Sequence, residues 1–380
     1  MRIGLVEFLL ILAIGSLTVG PQLALFVDRW MRRANRANAR AARRRAEYAA
    51  QMAAERDALL KRFRTASTVF GVVILLALVY AAAYDGASLK KRKSDLVRTD
   101  GGHYAAILSV DGELTGFDFD ADGDLWLAVL TTEGGSLCRA RHDSWGAAVE
   151  QVVAQIDGAP LGAISAVTVG PDGRVYFAIV GDEPASAGLE STLRTALLAH
   201  TGTGWVYVYD PADRSVQRVL GGIAGASGLA LSTDGSTLYV SDLGSRCVWQ
   251  VNADARELTA GGKNCQSFVS GLPGYPGALA VDEDDTLYIS YRWARSEWLE
   301  KHADGTLLRG VALRAGENLQ EKLFSLPADA PCAEAVSLQT GRWKTTFTGK
   351  ALEGCTAVCP VESKVYFGAA GEADLPFARV

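Results

Sequence analysis

Residues 225–242 read GASGLALSTDGSTLYVSD, Gly225 to Asp242: two short runs of alternating apolar residues joined by Asp234-Gly235. Alternation at period two marks strands, and Asp-Gly between two such runs marks a tight hairpin. The pattern returns as LTGFDFDADGDLWLAV from Leu114, ISAVTVGPDGRVYFAI from Ile164, PGALAVDEDDTLYIS from Pro276 and, more weakly, CTAVCPVESKVYFGA from Cys355. One such unit leaves both faces of its sheet apolar and has to stack on neighbours. A recurring hairpin at uneven spacing therefore predicts a mainly β chain, a propeller with unequal loops. Function is then expected at the central axis or on the loops around it.

The 380 residues, 49% of them hydrophobic, suffice for one large propeller and something more. A net charge of −5 hides an asymmetry, because residues 29–64 carry twelve Arg and Lys. All six cysteines lie after residue 130, and an even count confined to one domain suits an oxidising compartment. Cys247 and Cys265 flank a long hairpin and form the first candidate disulfide, with buried free thiols the alternative. Cys355 and Cys359 on one strand would stand roughly 13 Å apart, too far to bridge.

The N-terminal quarter reads differently. Residues 3–19 are apolar apart from Glu7 and lead to Gly20-Pro21. With only Arg2 before them and no small-residue cleavage site after them, they read as a retained membrane segment, residues 1–27. Glu7 lies near enough to its end for an interfacial position. Residues 28–65 lack Gly and Pro and are rich in Ala, Arg and Glu, predicting a basic helix facing anionic membrane lipid. Few aromatics and no base-reading motif argue against nucleic acid. Residues 66–84 are uncharged and long enough to cross a bilayer, with Tyr80 and Tyr84 at the far interface. The basic loop places both chain ends outside, so residues 85–101 become a basic linker and 102–380 an extracytoplasmic propeller on a multi-pass cell-membrane protein. Glu7, Gly20, Pro21 and the Arg-rich stretch resemble the TatA-type subunits of twin-arginine translocation.

From Leu161 onward the residues resemble the strictosidine-synthase-like branch of the six-bladed propellers, relatives of the gluconolactonases (SMP-30 type) and paraoxonase-type lactonases. The resemblance is carried in order by LLAHTGTGWVYVYDPADRSVQRVLGGI from Leu197, SGLALSTDGSTLYVSD, FVSGLPGYPGALAVDEDDTLYIS from Phe268 and KVYFGAAGEADLPFARV. It implies six blades and a divalent metal at the axis, held by Glu, Asn and Asp at the starts of inner strands. In this chain those positions fall at Thr115, Ser165, Ala166, Ser227, Gly277 and Ala278, and the family's acid falls near Ala357. Hydroxyls are weak ligands for a hard cation. The resemblance thus implies a scaffold without a cofactor, calcium entering only under a different alignment, and Thr115, Ser165 and Ser227 as a candidate axial pocket.

Other chemistry is sparse. His103, His142, His200 and His302 show no metal-ligand spacing, and neither G-x-S-x-G nor H-E-x-x-H occurs. His200 is expected on a strand. DFDADGD, Asp118 to Asp124, opens like a calcium loop, but Val129 stands where the closing Glu belongs, so a plain hairpin turn is expected. Trp293 and Trp298 read as packing. The leading expectation is a membrane-anchored, non-catalytic propeller that binds a protein, a glycan or a small molecule. A lactonase or esterase-type hydrolase is the alternative, and an accessory of protein translocation the second.

Overall fold

The hydrophobic alternation in each hairpin is used on both faces. In a computed structural model of the chain, the residues described are Leu25, 93–100, 103–144, 149–182, 188–302, 306–316, 319–320, 331–349, 354–361, 363–369 and 377–379. β1 (Lys93–Asp100) and β2 (His103–Asp111) form a hairpin. Sheet one follows with β3 (Glu113–Phe119), β4 (Leu125–Thr131), β5 (Gly134–Ala140) and β6 (Glu150–Val153). A short ladder of β7 (Gln155–Ile156) and β8 (Ala159–Pro160) leads to sheet two: β9 (Ile164–Val169), β10 (Val175–Ile179), β11 (Gly204–Asp210) and β12 (Ser215–Ile223), with helix α1 (Leu189–Ala199) inserted after β10. Sheet three holds β13 (Ala226–Leu231), β14 (Thr237–Asp242), β15 (Cys247–Asn252) and β17 (Gln266–Ser270), while the short β16 (Leu258–Thr259) joins the edge of β12 in parallel. Sheet four holds β18 (Gly274–Val281), β19 (Thr286–Ala294), β20 (Ala333–Ser337) and β21 (Trp343–Phe347), with α2 (Glu297–Lys301) after β19. β22 (Cys355–Val361), β23 (Lys364–Ala369) and β24 (Phe377–Arg379) make a three-stranded fifth sheet. All pairings within these five sheets are antiparallel except that of β16.

Successive side chains of one strand feed two different cores, as the strand period requires. On β10, Val175 and Phe177 pack with Trp126, Leu137 and Ile164 toward sheet one, whereas Tyr176 and Ala178 pack with Leu229, Leu238 and Val240 toward sheet three. Tyr239 and Val248 meet Leu279, Leu287 and Ile289 of sheet four, whose other face meets Val358, Val365 and Phe367 of the fifth. Leu108 and Val110 of the N-terminal hairpin cover Leu125, Leu127 and Val129. This is a propeller-type stack, with the inner strands β3, β9, β13, β18 and β22 adjoining in sequence. Four sheets have the full four-stranded order. Strand β1 lies within the stretch read above as linker.

The compact unit that holds these sheets comprises Gly86–Lys301 and Glu317–Val380. A second unit comprises Met1–Asp85 and His302–Gly316, and its described residues include helix α3 (Thr306–Leu313). No helix among the described residues is long and apolar enough to cross a membrane. The expected membrane spans and basic helix, with Glu7, Gly20, Pro21, Tyr80 and Tyr84, lie outside the described residues.

Two expectations are corrected. Residues 197–199 end helix α1 and are not strand, and His200 is its exposed C-cap in the left-handed conformation, its N–H bonded to the Ala196 carbonyl. All six cysteines are free thiols, Cys247 and Cys265 included. Both are buried, each inside an apolar setting that pushes its thiol pKa up. Cys247 opens β15, backbone-paired to Asp242 and Ser270, and Cys265 packs into the core between sheets two and three.

The inner strands approach so closely that side chains are excluded at their crossing. A Cβ on Gly228 would lie 2.2 Å from the Gly277 carbonyl oxygen and 3.0 Å from the Ala278 Cα. Gly228→Ala is expected to lower stability by about 1–3 kcal/mol, as overpacking does, read as a lower urea midpoint at unchanged slope.

Candidate functional site

Each of the five inner strands carries an irregularity near its start, where a residue drops out of register with the second strand. It falls between Leu114 and Gly116, Ile164 and Ala166, Ala226 and Gly228, Pro276 and Leu279, and Cys355 and Ala357. A bulge leaves a carbonyl without its ladder partner and turns a side chain. The residues at those points are Thr115, Ser165, Ser227, Gly277 with Ala278, and Thr356. Thr115, Ser165, Ser227, Gly277 with Ala278, and Thr356 thus occupy equivalent positions in the five strands, whereas Ala166 pairs with Ala178 in the ladder.

Their hydroxyls link blade to blade. Thr115 Oγ1 donates to the carbonyls of Ile164, at 2.8 Å, and Ala128, at 3.1 Å. Ser165 Oγ donates to the Ala226 carbonyl at 2.8 Å, and Ser227 Oγ to the Pro276 carbonyl at 2.8 Å. Ser241 Oγ of β14 adds a second link between sheets three and four, donating to the Gly277 carbonyl at 2.7 Å, and Gly277 itself has no hydroxyl to reach onward. Thr356 Oγ1 reaches only Gly368, within its own sheet. In each of the first three links the acceptor is the residue just before the equivalent position of the next inner strand.

These donors do not fit a hard divalent cation. Such an ion takes six to eight oxygens, with carboxylates among them. Here the hydroxyl protons serve neighbouring carbonyls, Ala166 and Ala278 bring no side-chain oxygen, and Ala357 is an exposed residue of β22 with nothing to protonate a substrate. No cluster of three or more His, Cys, Asp or Glu able to hold a metal occurs among the described residues. The calcium-loop-like run disperses its four carboxylates. Asp118 bonds to Thr168 and the Val169 N–H, Asp120 accepts from its own turn and from Trp126, Asp124 holds Arg139 and His142, and Asp122 is exposed.

Helix α1 lies across this same end. Its first N–H, at Leu189, donates to Glu113 Oε2 at the start of β3, and Glu190 pairs with buried Arg292 at 2.7 Å. Its inward face, with Leu193, Ala196 and Leu197, is buried, Ala196 lying against Gly225. The apolar spacing Leu189, Leu193, Ala196, Leu197 was the available helical signal.

The opposite end is open. The C-terminal halves of all five inner strands surround a cavity of about 610 Å³. Its walls include Val167, Leu229, Leu279 and Val358, and its polar groups include Asp118, Thr168, Thr233 and Cys359. Thr115, Ser165 and Ser227, expected to line an axial pocket, are not among its walls. Asp118 Oδ2 accepts from the Val169 N–H at 2.8 Å and from Thr168 Oγ1 at 3.0 Å, and Oδ1 accepts from the Phe119 N–H at 2.8 Å. A carboxylate has about four lone-pair sites, so Oδ1 keeps one free. Burial raises the Asp118 pKa, and the three hydrogen bonds only partly oppose it. Burial and the nearby Asp118 charge also raise the Cys359 thiol, which keeps it protonated and a poor nucleophile. Asp118 was read only as part of a turn, since its place on the axis follows from the stacking of the sheets.

Antiparallel sheets stacked about an axis, closed at one end and hollow at the other, define a propeller with a small-molecule-sized axial cavity. The chain belongs to the SMP-30/gluconolactonase/LRE-like region family, which it matches over residues 129–319. It is 27% identical over 150 residues to lactonase drp35 of Staphylococcus saprophyticus, covering 37% of this chain and 45% of that protein. With the protein strictosidine synthase-like 12 of Arabidopsis thaliana it shares 30% identity over 130 residues, 34% of each chain. The matches thus span less than half the length of these relatives. A solved gluconolactonase from Xanthomonas campestris aligns at 16% identity and a TM-score of 0.47, over 70% of this chain and 72% of that one.

Two measurements test this geometry. Ser165→Ala removes the proton that bridges sheets two and three and is expected to cost about 1–3 kcal/mol, as when a buried acceptor loses its partner. The cost would be read by urea denaturation, with exposed Ser109→Ala unchanged. The second concerns His142, whose Nδ1 stands 2.9 Å from Asp124 Oδ1, a hydrogen bond that raises the His142 pKa. A raised folded pKa stabilises below the unfolded value of about 6.5, and that stability is lost as pH rises through the folded pKa. The stability gap between wild type and His142→Gln should therefore be widest in mild acid and close in mild alkali, measured as urea midpoints across that range.

Proposed function

We propose that the chain is a small-molecule hydrolase of the lactone or ester class, acting in the axial cavity with Asp118 as its base. Membership of the family, together with similarity to a protein named as a lactonase, carries this reading. Asp118 is the cavity carboxylate with a free lone pair and a pKa that burial raises, the direction general-base work favours. In the proposed step Asp118 Oδ1 takes a proton from water, the water oxygen attacks the substrate carbonyl carbon, and the C–O bond to the leaving alkoxide breaks. The alkoxide then takes up the proton. No metal enters the step. Six blades, with the β1–β2 hairpin and the fifth sheet supplying the incomplete ones, belong to the same proposal, as does anchorage of the N-terminal residues in a membrane with the propeller outside.

A second reading, a propeller that binds without turnover, is favoured by one observation: hydroxyls that link backbones stand where the resemblance placed acidic residues. One experiment separates the two. The purified full-length chain is offered γ- and δ-lactones and aryl esters over a range of pH. Turnover should rise as pH climbs through the Asp118 pKa, and Asp118→Asn should lower kcat by about 100-fold or more with its circular dichroism intact. Absence of turnover across the panel would sink the hydrolase and leave the binding propeller.

A further inference from the structure

Helix α3 lies on an excursion of the chain. The chain leaves the unit of sheets after Lys301 and rejoins it at Glu317, and the residues between, His302–Gly316, belong with Met1–Asp85 to the other unit. That unit also takes in the uncharged run 66–84. A helix on a water-facing surface turns its apolar stripe inward and its charges outward, and α3 does the reverse. Arg309 and Ala312, three apart and so on one side, are buried. On the other side Leu307, Val311 and Arg314 follow at the spacing of successive turns; Leu307 is half-buried, Val311 is 48% exposed and Arg314 is exposed. Three of the seven exposed large apolar side chains among the described residues, Leu25, Val311 and Leu319, fall in this unit or just after it, although it holds few of those residues. From Gly305 to Gly316 the chain carries Arg309 and Arg314 and no acid. Arg314 Nη1 donates to the Gly310 carbonyl at 2.9 Å, and a guanidinium has five N–H donors, so acceptors outside the helix can still be met. The eight residues of α3 rise about 12 Å, too little to cross a bilayer and enough to lie along its surface.

We propose that helix α3 is a membrane-contact element lying in the interface of a phospholipid bilayer, with Leu307 and Val311 among the acyl chains just below the headgroups and Arg314 on lipid phosphate. An apolar face beside a cation suits that boundary, where apolar burial and attraction to anionic lipid act together. This contact extends the proposed anchorage of the N-terminal residues, which brings a bilayer within reach, and depends on no reaction in the cavity.

The test uses the full-length chain in vesicles of phosphatidylcholine and phosphatidylglycerol. Two variants carry a fluorescent NBD label: Val311→Cys, and Ala212→Cys in the exposed turn after β11, each with Cys359→Ser to remove the exposed native thiol. On Val311→Cys the label should lose at least about half of its emission to lipids with a nitroxide just below the headgroup, and less to lipids with the nitroxide at the acyl-chain end, as an interfacial helix requires. On Ala212→Cys quenching should stay below about a tenth, since a water-facing turn does not enter the lipid. No quenching on Val311→Cys, equal quenching on the two variants, or stronger quenching by the deep nitroxide would overturn the proposal. Washing the vesicles at alkaline pH tests the anchorage separately. A chain that stays with the vesicles while Val311→Cys is unquenched keeps the anchorage and loses the helix contact, and a chain that is quenched at first and then stripped off does the reverse.

Discussion

The close approach of the inner strands is the constraint on which the propeller rests. Each blade has two apolar faces to bury, and burial on both sides is achieved only if neighbours converge at the axis. Convergence brings backbone against backbone, which removes room for side chains and exposes polar groups that water can no longer reach. The chain answers with Gly228 where a Cβ would collide, with Gly116 where one would be tight, and with Thr115, Ser165, Ser227 and Ser241 where a carbonyl of the next blade needs a donor. A hydroxyl suits this place because it is short, neutral and free to rotate toward its acceptor. A carboxylate would bring a charge whose burial demands a counter-ion.

From this follows a division between the two ends of the axis. Where the inner strands begin, the bulges, the hydroxyl links and helix α1 fill the space. Where they end, the strands surround a cavity whose lining includes Asp118, Asp120 and two phenylalanines. Ligand chemistry is therefore sought at the strand ends, whereas the resemblance to metal-bearing relatives pointed to the strand starts.

Hairpins and their order were legible because Asp-Gly turns and period-two alternation are local signals, as at Asp172-Gly173 and Asp234-Gly235. Thr115, Ser165 and Ser227 were found by comparison, although their task proved to be joining strands. Helix α1 went unnoticed because its last residues, LLA, were read together with the following HTGTGWVYVYD as part of a strand pair, and its C-cap is a histidine in place of the usual glycine. The cavity was out of reach. Asp118, Thr168 and Cys359 stand far apart along the chain, and only the stacking of the sheets about an axis brings them to one cavity. The expected pairing of Cys247 with Cys265 rested on an even count and on their flanking a hairpin, and neither fixes the bond geometry of two thiols.

Helix α1 contacts Glu113 of sheet one and Arg292 of sheet four, which are not neighbours in the stack. A hoop held only by links between adjacent staves can flatten or spring open at one joint while the others hold. A chord fastened to two distant staves prevents this, since neither can leave without straining the other. The insertion in sheet two thus makes the blades yield together, and a protein assembled from repeated pieces gains the cooperativity of a single piece.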